Sequence, residues 1–308
     1  MMIRAPEPAI ETLNLRKAFG RKVAVDSLTL TVGRGEVFGF LGPNGAGKTT
    51  AVKMLTGLAR PTAGSARILG QPIGNIEANR QIGYLPELFR FHEWLEGHEF
   101  LEFHGRLYGM AGPQRTRRIP EVLELVGLSA RAKDKLRTYS KGMLQRIGIA
   151  QAILNDPRLV FLDEPTSALD PIGRRDVRDL IRQLAADGCT VFLNSHLLSE
   201  VELVCDRVAI VDKGKVMAMG TLSDLLSSQT ELEVQVDATT PLLLDALGKL
   251  SSNVTFTDST ITMSLKDREM VPLVAEAIVR CGGKIYCLTP RHLSLEELFV
   301  STVAEGEK

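Results

Sequence analysis

The sequence predicts an α/β domain interrupted by a helical stretch and followed by a small α+β module. Three observations carry that expectation. Short apolar β-rich runs alternate with helical periodicity up to about residue 222, strand signals vanish between about residues 88 and 154, and a new alternation opens after Gly220. The 308 residues hold about two domains at roughly 150 residues each.

In chain order, Val37–Leu41 is a compact apolar run, and so are residues 159–162, Thr190–Asn194 and residues 208–211. Such runs suit strands buried on both faces of a parallel sheet. Within the helical stretch, Gly112-Pro113 reads as a break and Gly127 as a helix end. Past Gly220, Leu232, Val234 and Val236 alternate like a half-exposed strand, and residues 241–250 are helix-like. Residues 253–257 and Thr260–Leu265 read as strands, residues 270–281 as an amphipathic helix stopped by Gly282-Gly283, and residues 284–288 as a strand. Ser294 and Glu297 form a capping box for a last helix through Val303, whose Leu295, Leu298, Phe299 and Val303, with Leu293 before the cap, are available for burial. The order βαββαβ plus a helix suits a small ferredoxin-like sandwich. The expected domains are 1–222, with a helical subdomain at about 88–154, and an accessory domain at 223–308.

Composition narrows the class. Hydrophobic residues make up 44% and charged residues 24%, enough for a sizeable core. Lys plus Arg and Asp plus Glu each number 37, for zero formal net charge, so no nucleic-acid partner is expected. No apolar run approaches the roughly 20 residues of a membrane span, and Pro6, Glu7 and Pro8 stand where a signal peptide needs an apolar core. Cys189, Cys205, Cys281 and Cys287 lack C-x-x-C spacing and read as buried thiols of a reducing compartment. His92, His98, His104 and His292 show no metal-ligand spacing. Arg115 to Arg118 and the charges from Arg131 to Arg137 suit solvated helical faces, or else anionic lipid.

The chemistry starts at Gly42-Pro43-Asn44-Gly45-Ala46-Gly47-Lys48-Thr49, a G-x-x-x-x-G-K-[ST] match between a strand and a helix-like run, with Thr50 next in line. Glycines let backbone N–H groups turn inward around phosphate, and the helix N-terminus adds partial positive charge. Lys48 can reach the outer phosphates and Thr49 can ligate Mg²⁺. A second cluster, the apolar run 159–162 followed by Asp163 and Glu164, delivers two carboxylates at a strand's C-terminal end. Asp163 suits the Mg²⁺ shell and Glu164 suits a base for the attacking water.

These motifs resemble the nucleotide-binding subunits of ABC transporters over roughly residues 9 to 222. Pro165-Thr166-Ser167-Ala168-Leu169-Asp170 is similar to the family's dimer loop, which implicates Ser167 and Asp170. His196, in Asn194-Ser195-His196, stands where the family contacts the γ-phosphate, and Phe19 where it stacks on adenine. Tyr139-Ser140-Lys141-Gly142-Met143-Leu144-Gln145-Arg146 resembles the signature L-S-G-G-Q, with Ser140 and Gly142 kept and Lys141 and Met143 departing. Glu87 stands in place of a glutamine that serves Mg²⁺ and water, and a carboxylate is an acceptable ligand.

The resemblance implies an ATPase using ATP and Mg²⁺, working as a homodimer or heterodimer in which Ser140 of one protomer faces the ATP on Lys48 of the other. It implies a separate multispanning membrane permease and a cytoplasmic place on the inner face of the cell membrane. Both departures and the C-terminal module resemble a bacterial exporter subgroup. Trp94, Phe89 and Phe91 either pack or mark the docking surface. Two other classes compete. A soluble ABC ATPase of DNA repair or translation would show a coiled-coil insertion or two cassettes. A regulatory protein that binds ATP without hydrolysing it is opposed by Glu164 and His196.

Overall fold

The computed structural model describes residues 7–227, 230–237, 240–251, 254–257, 259–265, 268–292 and 294–305. Contacts divide the chain into two compact units, the second spanning Thr221–Ser301.

In the first unit, β1 (Ile10–Phe19) and β2 (Lys22–Val32) form a hairpin turned at Gly20, whose φ of 58° suits a residue without Cβ. The chain continues through β3 (Val37–Leu41), α1 (Lys48–Leu55), β4 (Ala63–Ile68), β5 (Gln71–Pro72), α2 (Ile76–Asn79) and β6 (Ile82–Leu85). Three longer helices follow: α3 (Gly97–Leu107), α4 (Gly112–Leu125) and α5 (Lys141–Ile153). The unit then adds β7 (Leu159–Asp163), α6 (Pro171–Ala186), β8 (Thr190–Asn194), α7 (Leu198–Val204), β9 (Arg207–Asp212) and β10 (Lys215–Thr221).

The apolar runs build one sheet in the order β10-β9-β3-β8-β7-β6, parallel from β9 through β6. Every residue of β3, β7 and β8 is buried, as in a sheet covered on both faces. Phe192 sits within 5.3–5.7 Å of the rings of Phe38, Phe40 and Phe161. A second sheet, β2-β1-β4-β5, is antiparallel, and its Leu28 and Leu30 join the same core as Phe38 and Met54. Pattern reading missed this sheet for a physical reason. β1 buries Ile10, Thr12 and Leu15, because the register shifts beyond Thr12 and Asn14 adopts φ 48°. A bulge breaks the two-residue period that marks a strand.

The helical segment holds one correction. Gly112-Pro113 is the first turn of α4 rather than a gap, since proline at a helix start loses no hydrogen bond. Gly127, at φ 67°, follows the end of that helix. Ahead of α3, Phe89 and Phe91 pack with Phe100 at centroid distances of 4.6–6.0 Å, and His104 lies tilted against Phe100 at 4.5 Å. Leu88, Trp94 and Leu107 stay largely exposed, as does Phe103 in part.

The second unit runs α8 (Leu222–Ser227), β11 (Thr230–Val236), α9 (Pro241–Gly248), β12 (Val254–Thr257), β13 (Thr260–Leu265), α10 (Val271–Arg280), β14 (Ile285–His292) and α11 (Leu295–Glu305), the end of α11 lying outside it. Its sheet has the order β12-β13-β11-β14 with antiparallel neighbours. Leu232, Val234, Ile261 and Met263 face Leu243, Leu247, Val274 and Ile278 of α9 and α10. At α11, Glu297 accepts from the Ser294 N–H at 2.8 Å, and Ser294 accepts from the Glu297 N–H at 3.2 Å. Leu295 is fully buried, while Leu298, Phe299 and Val303 are half-buried. Asn253 and Leu293 lie outside the described residues. No helix among the described residues is long and apolar enough to cross a membrane.

His104 supplies a pH test of the helical segment. Burial, with His92 beside it, holds its imidazole down at about 4, against the usual 6.5. Between these values the unfolded chain binds a proton that the folded chain does not. Stability is therefore full above pH 6.5 and declines as pH falls toward 4. Thermal unfolding from pH 7 to 4.5 should show a smaller decline for His104→Leu than for the wild type; equal declines would refute the assignment.

Candidate nucleotide site

At the C-terminal end of β3 the chain leaves the sheet through the glycine loop. A Cβ on Gly42 would lie 2.2 Å from the Val211 carbonyl oxygen, and one on Gly47 would lie 2.1 Å from that of Ala24. Gly47 also adopts φ 99°, so both positions exclude side chains. Lys48 opens α1 and donates from Nζ to the Gly42 carbonyl at 2.7 Å and to that of Pro43 at 3.3 Å. Burial lowers its pKa, against the pull of Glu164, Asp163 and Glu87.

The loop forms one wall of a cleft of about 310 Å³. Asn44, Gly45, Gly47, Lys48, Thr49 and Thr50 line that wall, while Lys22 and Ala24 come from β2. Glu87 follows β6, Glu164 follows β7, and Asn194 ends β8. The parallel sheet thus gathers the ends of its neighbouring strands at one point, as open α/β sheets do.

Asp163, the last residue of β7, is 1% exposed. Its Oδ1 accepts from Asn194 Nδ2, while Oδ2 has no partner. Burial raises its pKa to about 6; the Asn194 hydrogen bond and Lys48 oppose the rise, and Glu87 and Glu164 add to it. Burial, with Asp163 and Glu87 nearby, also lifts Tyr84 to about 12.

Glu164 adopts φ 56°, a conformation costly for a side-chain-bearing residue, and is tied at every polar group. Its N–H donates to the Asn194 carbonyl at 2.8 Å, and its own carbonyl accepts from Gln145 Nε2 at 3.1 Å and the Ser167 hydroxyl at 3.2 Å. Its carboxylate accepts the His196 N–H at 2.9 Å and meets His196 Nδ1 at 2.7 Å.

This donor set fits magnesium. The described residues hold no group of three or more His, Cys, Asp or Glu that would bind a metal unaided. Mg²⁺ takes one or two carboxylates together with substrate phosphates rather than an all-protein cage. The orphaned Asp163 Oδ2 answers that need, with the Thr49 hydroxyl and Glu87 at the cleft.

Other candidates lie elsewhere. Ser140 caps α5, accepting from the Met143 N–H at 3.3 Å. Ser140, Lys141, Gly142 and Met143 line a separate cavity of about 510 Å³ with Asp170, which caps α6 through the Gly173 N–H at 2.8 Å. Pro43 and Ala46 complete the loop backbone, Ala46 N–H donating to Pro43 at 3.1 Å. Phe19 is 57% exposed under Lys17 Nζ and does not line the cleft; Lys22, its partner across the hairpin, does. Sequence reasoning gave no individual role to Asn194, Gln145 or Lys22. The only signal for Asn194 was a polar residue closing an otherwise apolar strand.

A glycine loop opening a helix, facing carboxylates at the ends of adjacent parallel strands, defines a P-loop nucleoside triphosphatase. Residues 25–167 match the family model described as ABC transporter. Over 97% of its length the chain is 41% identical to an uncharacterized ABC transporter ATP-binding protein of Nostoc sp., covering 90% of that protein. It is 35% identical to the linearmycin resistance ATP-binding protein of Bacillus subtilis, over 95% of this chain and 97% of that one. It is also 35% identical to the Nod factor export ATP-binding protein I of Cupriavidus metallidurans, over 94% and 96%. A dimeric ATP-binding cassette bound to ADP and Pi is similar at 27% identity and a TM-score of 0.64, over 69% of this chain and 98% of that one. The chain belongs to the ATP-binding proteins of ABC transporters, and it is an ATPase.

Asp163 has a measurable cost. Its folded value near 6 lies above the ordinary 3.8, so across that window the folded chain keeps a proton that the unfolded chain has released. Rising pH through the window therefore erodes stability. Without nucleotide or metal, the melting temperature of Asp163→Asn should gain on the wild type from pH 4 to 6 and stay ahead above it. A difference between variant and wild type that stays constant from pH 4 to 6 would refute the raised value.

Proposed function

We propose that this chain binds ATP with Mg²⁺ and hydrolyses it to power export through a separate multispanning membrane subunit. The observation that carries the chemistry is Glu164, held on both carboxylate oxygens by His196 at the mouth of the cleft that Lys48 closes. The names of the relatives, a Nod factor export protein and a linearmycin resistance protein, support export.

Phosphate oxygens take the place of the Gly42 and Pro43 carbonyls on Lys48, and residues 44–50 wrap them with backbone N–H groups. Thr49, Asp163 and Glu87 would hold Mg²⁺, which would supply positive charge to the phosphates when bound. Glu164 accepts the proton of the attacking water, and His196 orients its carboxylate. Phe19, exposed opposite the cleft residue Lys22 on the hairpin, stacks on adenine.

Each chain carries one glycine loop and one signature segment, set in separate cavities. Two chains complete each other head to tail, as a homodimer or heterodimer, with Ser140, Lys141, Gly142 and Met143 facing the partner's ATP and Ser167 and Asp170 at the junction. On this reading, exposed Leu88, Trp94, Phe103 and Leu107 receive the membrane subunit, and the chain works at the cytoplasmic face of the membrane. Residues 223–308 act as an accessory domain that biases closure.

Two experiments test this reading. Lys48→Ala should abolish ATP binding by calorimetry while leaving the melting temperature intact. Glu164→Gln should keep ATP binding and slow hydrolysis by about 10²–10⁴, and turnover at the wild-type rate would refute the base role.

Sharing of sites has its own test. A Lys48→Ala chain mixed with a Ser140→Arg chain retains one intact composite site per mixed dimer. Hydrolysis should reappear on mixing two inactive preparations. Activity from a chain that sediments as a monomer with ATP would exclude the shared site.

A further inference from the structure

Asn194 ends β8, the strand between the glycine-loop strand and the carboxylate strand, paired with Phe40 on one side and Asp163 on the other. It is 2% exposed and follows four buried residues, so an amide here sits at the edge of an apolar sheet interior. Buried amides of this kind need partners.

The amide orientation follows from its neighbour. An ionised carboxylate only accepts, so the Asn194 N–H₂ faces Asp163 Oδ1 and the amide oxygen faces away. That oxygen is buried without a partner, as is Asp163 Oδ2. One hydrogen-bonded pair therefore carries two orphaned acceptors, and Asn194 lines the cleft. Lys48 does not serve them, since its ammonium lies on the Gly42 and Pro43 carbonyls. Two buried acceptors without a protein donor suit a hydrated cation, which brings both positive charge and water protons.

We infer that Asn194 is a positioning residue of the metal site. Its N–H₂ fixes Asp163 so that Oδ2 is free for the cation, and its amide oxygen accepts from the cation's water. The same residue's carbonyl holds the Glu164 N–H at 2.8 Å, so one strand end aligns both acids. The inference rests on the Mg²⁺–ATP reading proposed above.

The test separates metal affinity from nucleotide affinity in the full chain. Mn²⁺ binding to the ATP complex is read by electron paramagnetic resonance, and metal-free ATP binding is read by calorimetry in chelator. Asn194→Leu should raise the Mn²⁺ dissociation constant about 10- to 100-fold, the usual cost of losing a residue that supports a metal ligand. Metal-free ATP affinity should stay within about twofold. Asn194→Val, a better strand former, gives the same readout if the leucine variant does not fold.

Mn²⁺ affinity at the wild-type value in either folded variant would overturn the inference. A parallel loss of metal-free ATP binding would also overturn it, because that is what a structural role produces. Failure of the underlying reading looks different: the wild-type chain itself would then bind no ATP.

Discussion

A carboxylate with one oxygen bonded and the other bare, sealed from water at the end of a parallel strand, is the constraint around which the first unit is arranged. Asp163 has Glu164 next to it and Glu87 across the cleft, so its charge is opposed by both burial and repulsion. Two groups answer it, the Lys48 ammonium through its field alone and the Asn194 amide through a hydrogen bond, and both stand near it because β3 and β8 end beside β7. Parallel register does this work: β3, β8 and β7 run the same way, so their C-terminal ends bring loop, amide and acids together. An antiparallel neighbour would have put one of those ends on the far side of the sheet.

Glu164 shows how an unfavourable backbone is held in place. A φ of 56° for a glutamate persists only when the surroundings over-determine it, and here four residues do so. Asn194 and His196 come from the end of β8 and just beyond it, Ser167 from the following turn, and Gln145 from α5. Gln145 lies one turn into the helix that Ser140 caps, so a shift of the signature segment bears on the peptide of Glu164 through a single hydrogen bond. The Met143 departure leaves this route intact, because Ser140 accepts from the backbone N–H of residue 143 and not from its side chain.

What was legible beforehand was local. The glycine loop spans consecutive residues whose identities follow from phosphate geometry, and the acid pair directly follows an apolar strand. Strands β3, β7, β8 and β9 were readable because burial leaves unbroken apolar runs, whereas β6, with Gly83 and half-buried Tyr84, was not. The antiparallel sheet was not, since β1 loses its alternation at Asn14, and half-exposed strands with bulges look like neither period. Asn194 and Gln145 escaped notice because their partners lie 31 and 19 residues away, a distance over which a single sequence carries no pairing signal.

Glu87 places a third carboxylate on a cleft whose cation, Lys48, is half committed to loop carbonyls. A neutral glutamine there would leave Asp163 with one repulsive neighbour instead of two. The glutamate therefore makes the empty cleft electrostatically worse and the metal-loaded cleft better, because each added acid raises the return on a divalent cation. It also raises the cost of nucleotide phosphates arriving without their metal. On the Mg²⁺–ATP reading proposed above, the orphaned oxygens of Asp163 and Asn194 add two acceptors to the same demand for a cation.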